Sequence, residues 1–313
     1  MSPRSLLDRT GTLIGLILVA VIFGALVGRQ FFAPANVELM ARQTAIVCMA
    51  ALGMTIVIAL GGIDLSVGSM IALTSVVIAY MLRDGASPIA AATAGVAASA
   101  ACGLLNGVLI TQLRVVPFIV TLGTMLIVRG AAKGVAEERR IEAPITWLND
   151  LLRTETGRAL LPTGIWAVIG AALLVAGVLR YTRFGRHVVA IGSNERMARL
   201  CGVPIVRTKI AVYTLSAALT GMAGVLEYSK LSVGDPTVGV GSELDVIAAV
   251  IIGGGSLLGG RGSVAGTLIG AAIMAIIQIG CSQRGLANWV QQIVTGTIIV
   301  VAVALDRLRS ART

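Results

Sequence analysis

Apolar residues fall along this chain in long runs rather than in one amphipathic stripe. Polar breaks divide them into ten stretches that read as membrane-spanning helices: Thr12–Val27, Thr44–Leu60, Ser66–Leu82, Pro88–Ile110, Val116–Ala132, Thr163–Leu179, Ile210–Tyr228, Leu244–Leu257, Val264–Gly280 and Trp289–Leu305. The pattern therefore predicts an all-α, polytopic integral membrane protein of about ten transmembrane helices, with residues 1–313 forming a single transmembrane domain. Arg29, Pro34 and Asn36 mark the loop after the first span. The fourth span is dominated by alanine and glycine, which let neighbouring backbones approach closely, and this places it inside the bundle. Leu231–Glu243, with Gly234, Asp235, Pro236, Gly239 and Gly241, reads as an irregular outer or re-entrant segment.

Two long polar segments interrupt the runs. Residues 180–209 carry Arg180, Arg183, Arg186, Arg196, Arg199, Arg207 and Lys209 against a single acid, Glu195, and such a loop faces the cytoplasm. Within it Asn194 caps a short exposed helix by accepting a backbone N–H, Glu195 sits at the positive helix end, and Gly202 with Pro204 ends the turn. This is either a solvated topology signal or a docking element for a cytoplasmic partner. Residues 133–162 are nearly balanced in sign and form an external loop, in which Trp147, Leu148, Leu151 and Leu152 share one face of a short interfacial helix. An even number of spans with a cytoplasmic 180–209 loop puts both termini in the cytoplasm, and the whole net charge of +10 then falls on that side.

Composition narrows the class. Of 313 residues 56% are hydrophobic and 13% charged. The basic balance is not a nucleic-acid footprint, because aromatic stacking groups are only 4% of the chain. Cys48, Cys102, Cys201 and Cys281 are too scattered for a disulfide or zinc framework, and His187 has no carboxylate or cysteine company, so no metal site and no hydrolase triad follow. The glycine run Gly253–Gly262 lacks the Gly-Lys-Ser/Thr of a phosphate-binding loop, which excludes ATP binding by this chain.

The candidate chemistry sits at the breaks. Gly61-Gly62-Ile63-Asp64-Leu65-Ser66 places a carboxylate between two apolar spans, where it lines an aqueous pathway, pairs with an arginine, or caps the third helix with help from Ser66. A partial echo follows at Gly259-Gly260-Arg261-Gly262-Ser263-Val264, with Arg261 where the first copy has Asp64, so an internal duplication and an Asp64–Arg261 ion pair are both open. Asn106, Thr121, Thr124, Thr220 and Gln278 supply hydroxyls and amides within the spans, suited either to a neutral polyhydroxylated solute or to helix–helix hydrogen bonding. The pathway or gate candidates are thus Gly61, Gly62, Asp64, Ser66, Asn106, Gly259, Gly260 and Arg261.

Four motifs in order, GMTIVIALGGIDLSVGSMIAL from Gly53, LLNGVLITQLRVVPFIVTLGTM from Leu104, AIGSNERMARLCGV from Ala190 and ELDVIAAVIIGGGSLLGGRGSVAGTLIGA from Glu243, closely resemble the permease subunits of ribose-type bacterial ABC sugar importers. The resemblance covers nearly the whole chain and departs from the family pattern at Ser193 and Cys201. It implies a translocation subunit of the bacterial cytoplasmic (inner) membrane that is not itself an enzyme and binds no cofactor. ATP and magnesium would be held by a separate cytoplasmic ABC ATPase, a periplasmic binding protein would deliver the sugar, and a second permease copy, identical or not, would complete the pathway. Carried over by the resemblance, Gly192, Asn194, Glu195, Arg196, Ala198 and Gly202 form the coupling helix that seats in the ATPase, with Arg199 beside them. The alternative is an ion-coupled secondary transporter of a small polar solute.

Overall fold

The structure, a computed structural model, describes residues 3–153 and 162–310. Glu155 and Arg158 of the balanced polar segment, and Arg312 near the C-terminus, lie outside the described residues. Those described form the helices α1 (Pro3–Val27), α2 (Pro34–Ala59), α3 (Val67–Arg83), α4 (Pro88–Gln112), α5 (Pro117–Val135), α6 (Thr163–Tyr181), α7 (Arg183–Ser193), α8 (Glu195–Leu200), α9 (Ile205–Leu231), α10 (Ser242–Ile252), α11 (Val264–Gln283) and α12 (Asn288–Ser310), with one two-stranded ribbon, β1 (Ile141–Glu142) antiparallel to β2 (Val233–Gly234). Six of them, α2, α4, α5, α6, α9 and α11, are long and apolar enough to cross a membrane, and α1, α3 and α12 contain shorter apolar stretches. The chain is an all-α polytopic membrane protein.

Helix α2 is the centre of the bundle: its apolar surface is covered on every side by other helices rather than left to lipid. Every residue from Ala45 to Leu60 is buried, against α9, α11, α10 and α6. It begins ten residues before the predicted span: Pro34, expected in a loop, is its first residue, where a missing N–H costs nothing, and Asn36 lies within the helix. Lipid is as apolar as leucine, so close backbone packing and hydrogen bonds hold such helices together. Thr55 and Thr267 link α2 to α11 with hydroxyl oxygens 2.8 Å apart. Helix α4 follows the same logic on one face only. A Cβ at Gly103 would stand 2.4 Å from the Tyr213 carbonyl oxygen and one at Gly107 2.7 Å from the Ile210 Cα, so α9 lies directly on the small residues, and the Ser99 hydroxyl donates to the Ala217 carbonyl at 2.6 Å. The other face carries exposed Ile89, Leu104 and Leu105. Alanine and glycine buy contact with α9, but α4 stands at the edge of the single chain rather than inside it.

Two further expectations change. Helix α10 has 11 residues, about 16 Å at 1.5 Å per residue, too short to cross a bilayer by itself; the chain after it is irregular to Ser263. The predicted interfacial helix around Trp147 is a single 3-10 turn, Trp147–Asp150, closed by a Thr146/Asn149 capping box. Leu148 and Leu152 are buried rather than spread on a surface, and the Ser229 hydroxyl at the end of α9 accepts from the Leu152 N–H and donates to the Asn149 carbonyl, both at 3.1 Å. Of the four side chains expected on one face, Trp147 is exposed and Leu151 partly covered. The segment is a plug folded onto the bundle end, tied to the irregular stretch after α9 by the β1–β2 ribbon and an Arg140–Asp235 ion pair of 2.7 Å.

Candidate functional site

The basic loop folds into two helices, not the single short one expected. Thr182 caps α7, its side chain accepting from the Gly185 N–H at 3.1 Å, and Val188 and Ile191 on one face of α7 are buried. Asn194 separates the two helices and caps α8 as predicted, accepting from the Met197 N–H at 3.0 Å. Gly202, at φ +78°, ends α8 as predicted, with its own N–H on Arg199 and that of Val203 on Ala198, each 3.0 Å, the double bond of a Schellman cap. Glu195 accepts from Lys209 at 2.8 Å and from Arg199 at 3.1 Å. The hydrogen bond from Lys209, joined by that lysine's charge and by Arg199 and opposed by partial burial, holds its carboxyl below the usual range. Ala198 is buried while Arg196 and Arg199 point outward. The exposed apolar side chains Met197 and Leu200, the latter 81% exposed, stand beside those arginines. Sequence reasoning passed over both; two apolar residues one helical turn apart amid a basic loop were the available signal.

This loop meets both glycine breaks at one point. Helix α2 ends with Gly61 at φ +85°, the N–H groups of Gly61 and Gly62 closing on Ile58 and Val57 at 2.9 Å; α10 ends in the same way at Gly254 and Gly255. The chain then turns through Gly259 and Gly260, both at positive φ, and the Gly260 N–H donates to the Ala59 carbonyl at 2.9 Å. Gly192 lies in the angle between them: a Cβ there would be 2.0 Å from the Ala59 oxygen and 2.6 Å from the Gly260 nitrogen. Gly61, Gly192, Gly259 and Gly260 thus form one backbone-to-backbone junction, and the end of α7 cannot move without pressing on the ends of α2 and the α10–α11 connection.

Three pathway candidates come together beside it. Asp64 accepts from the Ser66 backbone N–H at 2.9 Å and from the Ser66 hydroxyl, and Asn106 on α4 donates to the same hydroxyl oxygen at 3.0 Å. All three are fully buried. Arg261 takes no part. It is exposed, and among the described residues Asp64 makes no ion pair, so the proposed Asp64–Arg261 gate is not formed. The reason is local: the carboxylate folds back on the start of α3 within two residues, closer to capping than to pairing. Its second oxygen and the Tyr213 hydroxyl make no hydrogen bond.

At the opposite end of the bundle lies a polar cavity that the sequence reading did not foresee. It is bounded by Gln43 on α2, Glu227 and Lys230 on α9, Asp235, Asp245 on α10 and Gln278 on α11. Gln278 stood out beforehand as a polar group within a span and Asp235 only as part of an irregular segment; the others lie at span ends, where polar residues are ordinary.

The chain is a polytopic bundle whose basic loop is wedged against breaks in its central helices, and it belongs to the family described as "Branched-chain amino acid transport system / permease component", which matches residues 36–303. It is 38% identical over 304 residues to the ribose import permease protein of Escherichia coli strain K12, covering 96% of this chain and 94% of that one. It is 37% identical over 309 residues to the ribose import permease protein of Bacillus subtilis strain 168, covering 97% and 94%. It is 34% identical over 302 residues to the fructose import permease protein of Rhizobium meliloti, covering 94% and 84%. No solved structure matches the chain.

Proposed function

We propose that this chain is the membrane-spanning permease subunit of an ATP-driven importer that moves a monosaccharide or related polyol across a bacterial inner membrane. The full-length similarity to ribose and fructose import permeases carries the reading. The junction at Gly61, Gly192 and Gly260 supports its mechanism: a push on α7 and α8 reaches the helix breaks through backbone alone. In this reading residues 1–313 are one permease domain of about ten spans, α1, α3 and α12, and α10 together with the irregular chain that follows it, completing the set, with residues 133–162 outside and residues 180–209 and both termini in the cytoplasm. A separate ABC ATPase seats against α8 and holds the ATP and magnesium, a periplasmic binding protein delivers the sugar, and a second permease copy covers part of the apolar face left by α4 and α5.

The test is uptake by proteoliposomes containing the chain with its ATPase and binding protein, offered radiolabelled D-ribose, D-fructose and L-leucine. ATP-dependent uptake of at least one sugar and not of leucine is expected. Leucine uptake alone would move the substrate to the amino-acid class named in the family's description, and uptake that stops on collapse of ion gradients while ATP is held constant would make the chain a secondary transporter.

A further inference from the structure

The polar cavity has a volume of about 430 Å³ and lies apart from the glycine junction: it takes Gln43 to Ala50 in the middle of α2, the beginning of α10 and the end of α9 and α11, whereas the junction takes the ends of α2 and α10 and the connection into α11. Its wall is crossed by a directed series of hydrogen bonds. The Lys230 ammonium donates to the Gln43 side-chain carbonyl at 2.9 Å, the Gln43 amide donates to Gln278 at 3.3 Å, and the Gln278 amide donates to the Asp245 carboxylate. Lys230 is also paired with Glu227 at 3.3 Å. At the rim Asp235 is held by the Thr237 N–H at 2.8 Å and the Arg140 guanidinium at 2.7 Å. Four helices are joined by a cation at one end, a carboxylate at the other, and two amides whose orientation the ends dictate.

Ionisable groups near the apolar layer are costly and are kept where they meet water or cargo. Each glutamine commits one carbonyl and one N–H to the series and retains a second N–H and a further lone pair, and the ammonium retains a third donor. The wall therefore offers donors and acceptors side by side in fixed directions. A hydroxyl group both donates and accepts, so vicinal hydroxyls match such a wall, whereas an apolar side chain would leave its polar groups unpaired and an anionic solute would meet Asp245, the one of the cavity's three acids without an ion pair among the described residues. A volume of this size falls within the range of small-molecule pockets. We infer that the cavity is a solute-recognition site within the permease itself, where Gln43, Gln278, Asp245 and Lys230 receive the hydroxyls of a neutral monosaccharide or polyol before it moves towards the junction; this rests on the sugar-importer reading.

The assembled transporter in proteoliposomes, with binding protein and ATP saturating, tests it through Asp245→Asn and Gln43→Leu. Uptake of D-ribose or D-fructose should fall by about tenfold or more with a changed ratio between the two sugars, because groups left unpaired against a hydroxyl discriminate strongly, while ATP hydrolysis stimulated by sugar-loaded binding protein stays within about twofold. A second measurement needs no turnover: thiol labelling of Ser242→Cys on the cavity wall should be slowed by D-ribose and not by L-leucine. Unchanged uptake and sugar ratio in both variants, loss of ATP hydrolysis in step with uptake, or absence of protection at Ser242→Cys would each overturn the site while leaving the importer reading standing. Failure of the unaltered transporter to take up any sugar would overturn that reading, and the site with it.

Discussion

A methyl group on Gly192 has nowhere to go, because the two atoms it would strike are backbone. Gly192→Ala is therefore expected to displace α7, costing about 1–3 kcal/mol as overpacking does and lowering sugar-stimulated ATP hydrolysis, whereas Gly170→Ala on α6, where an added Cβ meets nothing within 4 Å, should leave both thermal stability and hydrolysis unchanged. Equal effects of the two would show that the junction is not special. Asp64 and Arg261 should behave independently, since one is buried on Ser66 and the other exposed: in a double-mutant cycle of Asp64→Asn and Arg261→Gln the losses in thermal stability should add to within about 0.5 kcal/mol, and a larger coupling would restore the gate. Glu195 gives a pH signature. Its folded-state pKa lies below the ordinary value of 4.5, so the stability it lends α8 is present above that value and is lost as pH falls through the lowered one. Amide exchange in residues 195–200, corrected for intrinsic rate, should be flat from neutrality to about pH 5 and rise below about pH 4, and a rise already near pH 6 would assign the protection to another group. At this scale the sequence was legible where a side chain acts on its own turn, as with Asn194 and Gly202. It misled where Asp64 needed a distant partner, because equivalent places in two breaks do not fix which way two side chains point.

Helices that carry their own start and stop signals could be read directly, and nearly all the predicted spans correspond to helices. What composition hid was length and surroundings. Apolar residues continue from α10 into Gly253, Gly254 and Gly255, so the run looks long enough to cross although its helix stops at Ile252. Leu148 and Leu152 carry the hydropathy of an interfacial helix, and only the Ser229 hydroxyl holding the turn shows that they are core. Helix α7 was lost among arginines, its buried face being Gly185, Val188 and Ile191. With α7 braced against the breaks, α8 is left as the outward element, and its exposed face combines Met197 and Leu200 with Arg196 and Arg199. Anchoring by apolar residues ringed by charge is how interfaces concentrate their energy. Leu200→Ser should accordingly weaken co-purification of the ATPase at all salt concentrations, while Arg196→Glu with Arg199→Glu should weaken it most at low salt, where surface charges are least screened. Full retention of the ATPase by both variants, with membrane insertion intact, would remove α8 from the interface.

For the molecule as a whole, the bundle has a basic end and a charge-balanced end, and the two candidate regions divide between them: the glycine junction with α7 and α8 at one, the polar cavity and the plug of residues 136–153 at the other. If the basic end faces the cytoplasm, as lysine and arginine excess dictates, the cavity opens where a periplasmic protein would release its cargo and the junction lies where an ATPase would act, so a single orientation serves both proposals. The chain supplies its own reporter for the basic end. Cys48 and Cys281 are buried, Cys102 is partly covered and Cys201 is exposed just after α8, which makes Cys201 the thiol that a water-borne reagent reaches first. For the other end, Ile145, 81% exposed beside the plug, is well placed for a cysteine. In intact spheroplasts a membrane-impermeant thiol reagent should leave the unaltered protein unlabelled until lysis, and should label Ile145→Cys without lysis even when Cys201→Ser removes the native site. The reverse pattern would invert the molecule and put the cavity on the ATPase side, and labelling of both sites before lysis would place the two regions on one face and overturn α6 as a single crossing between them.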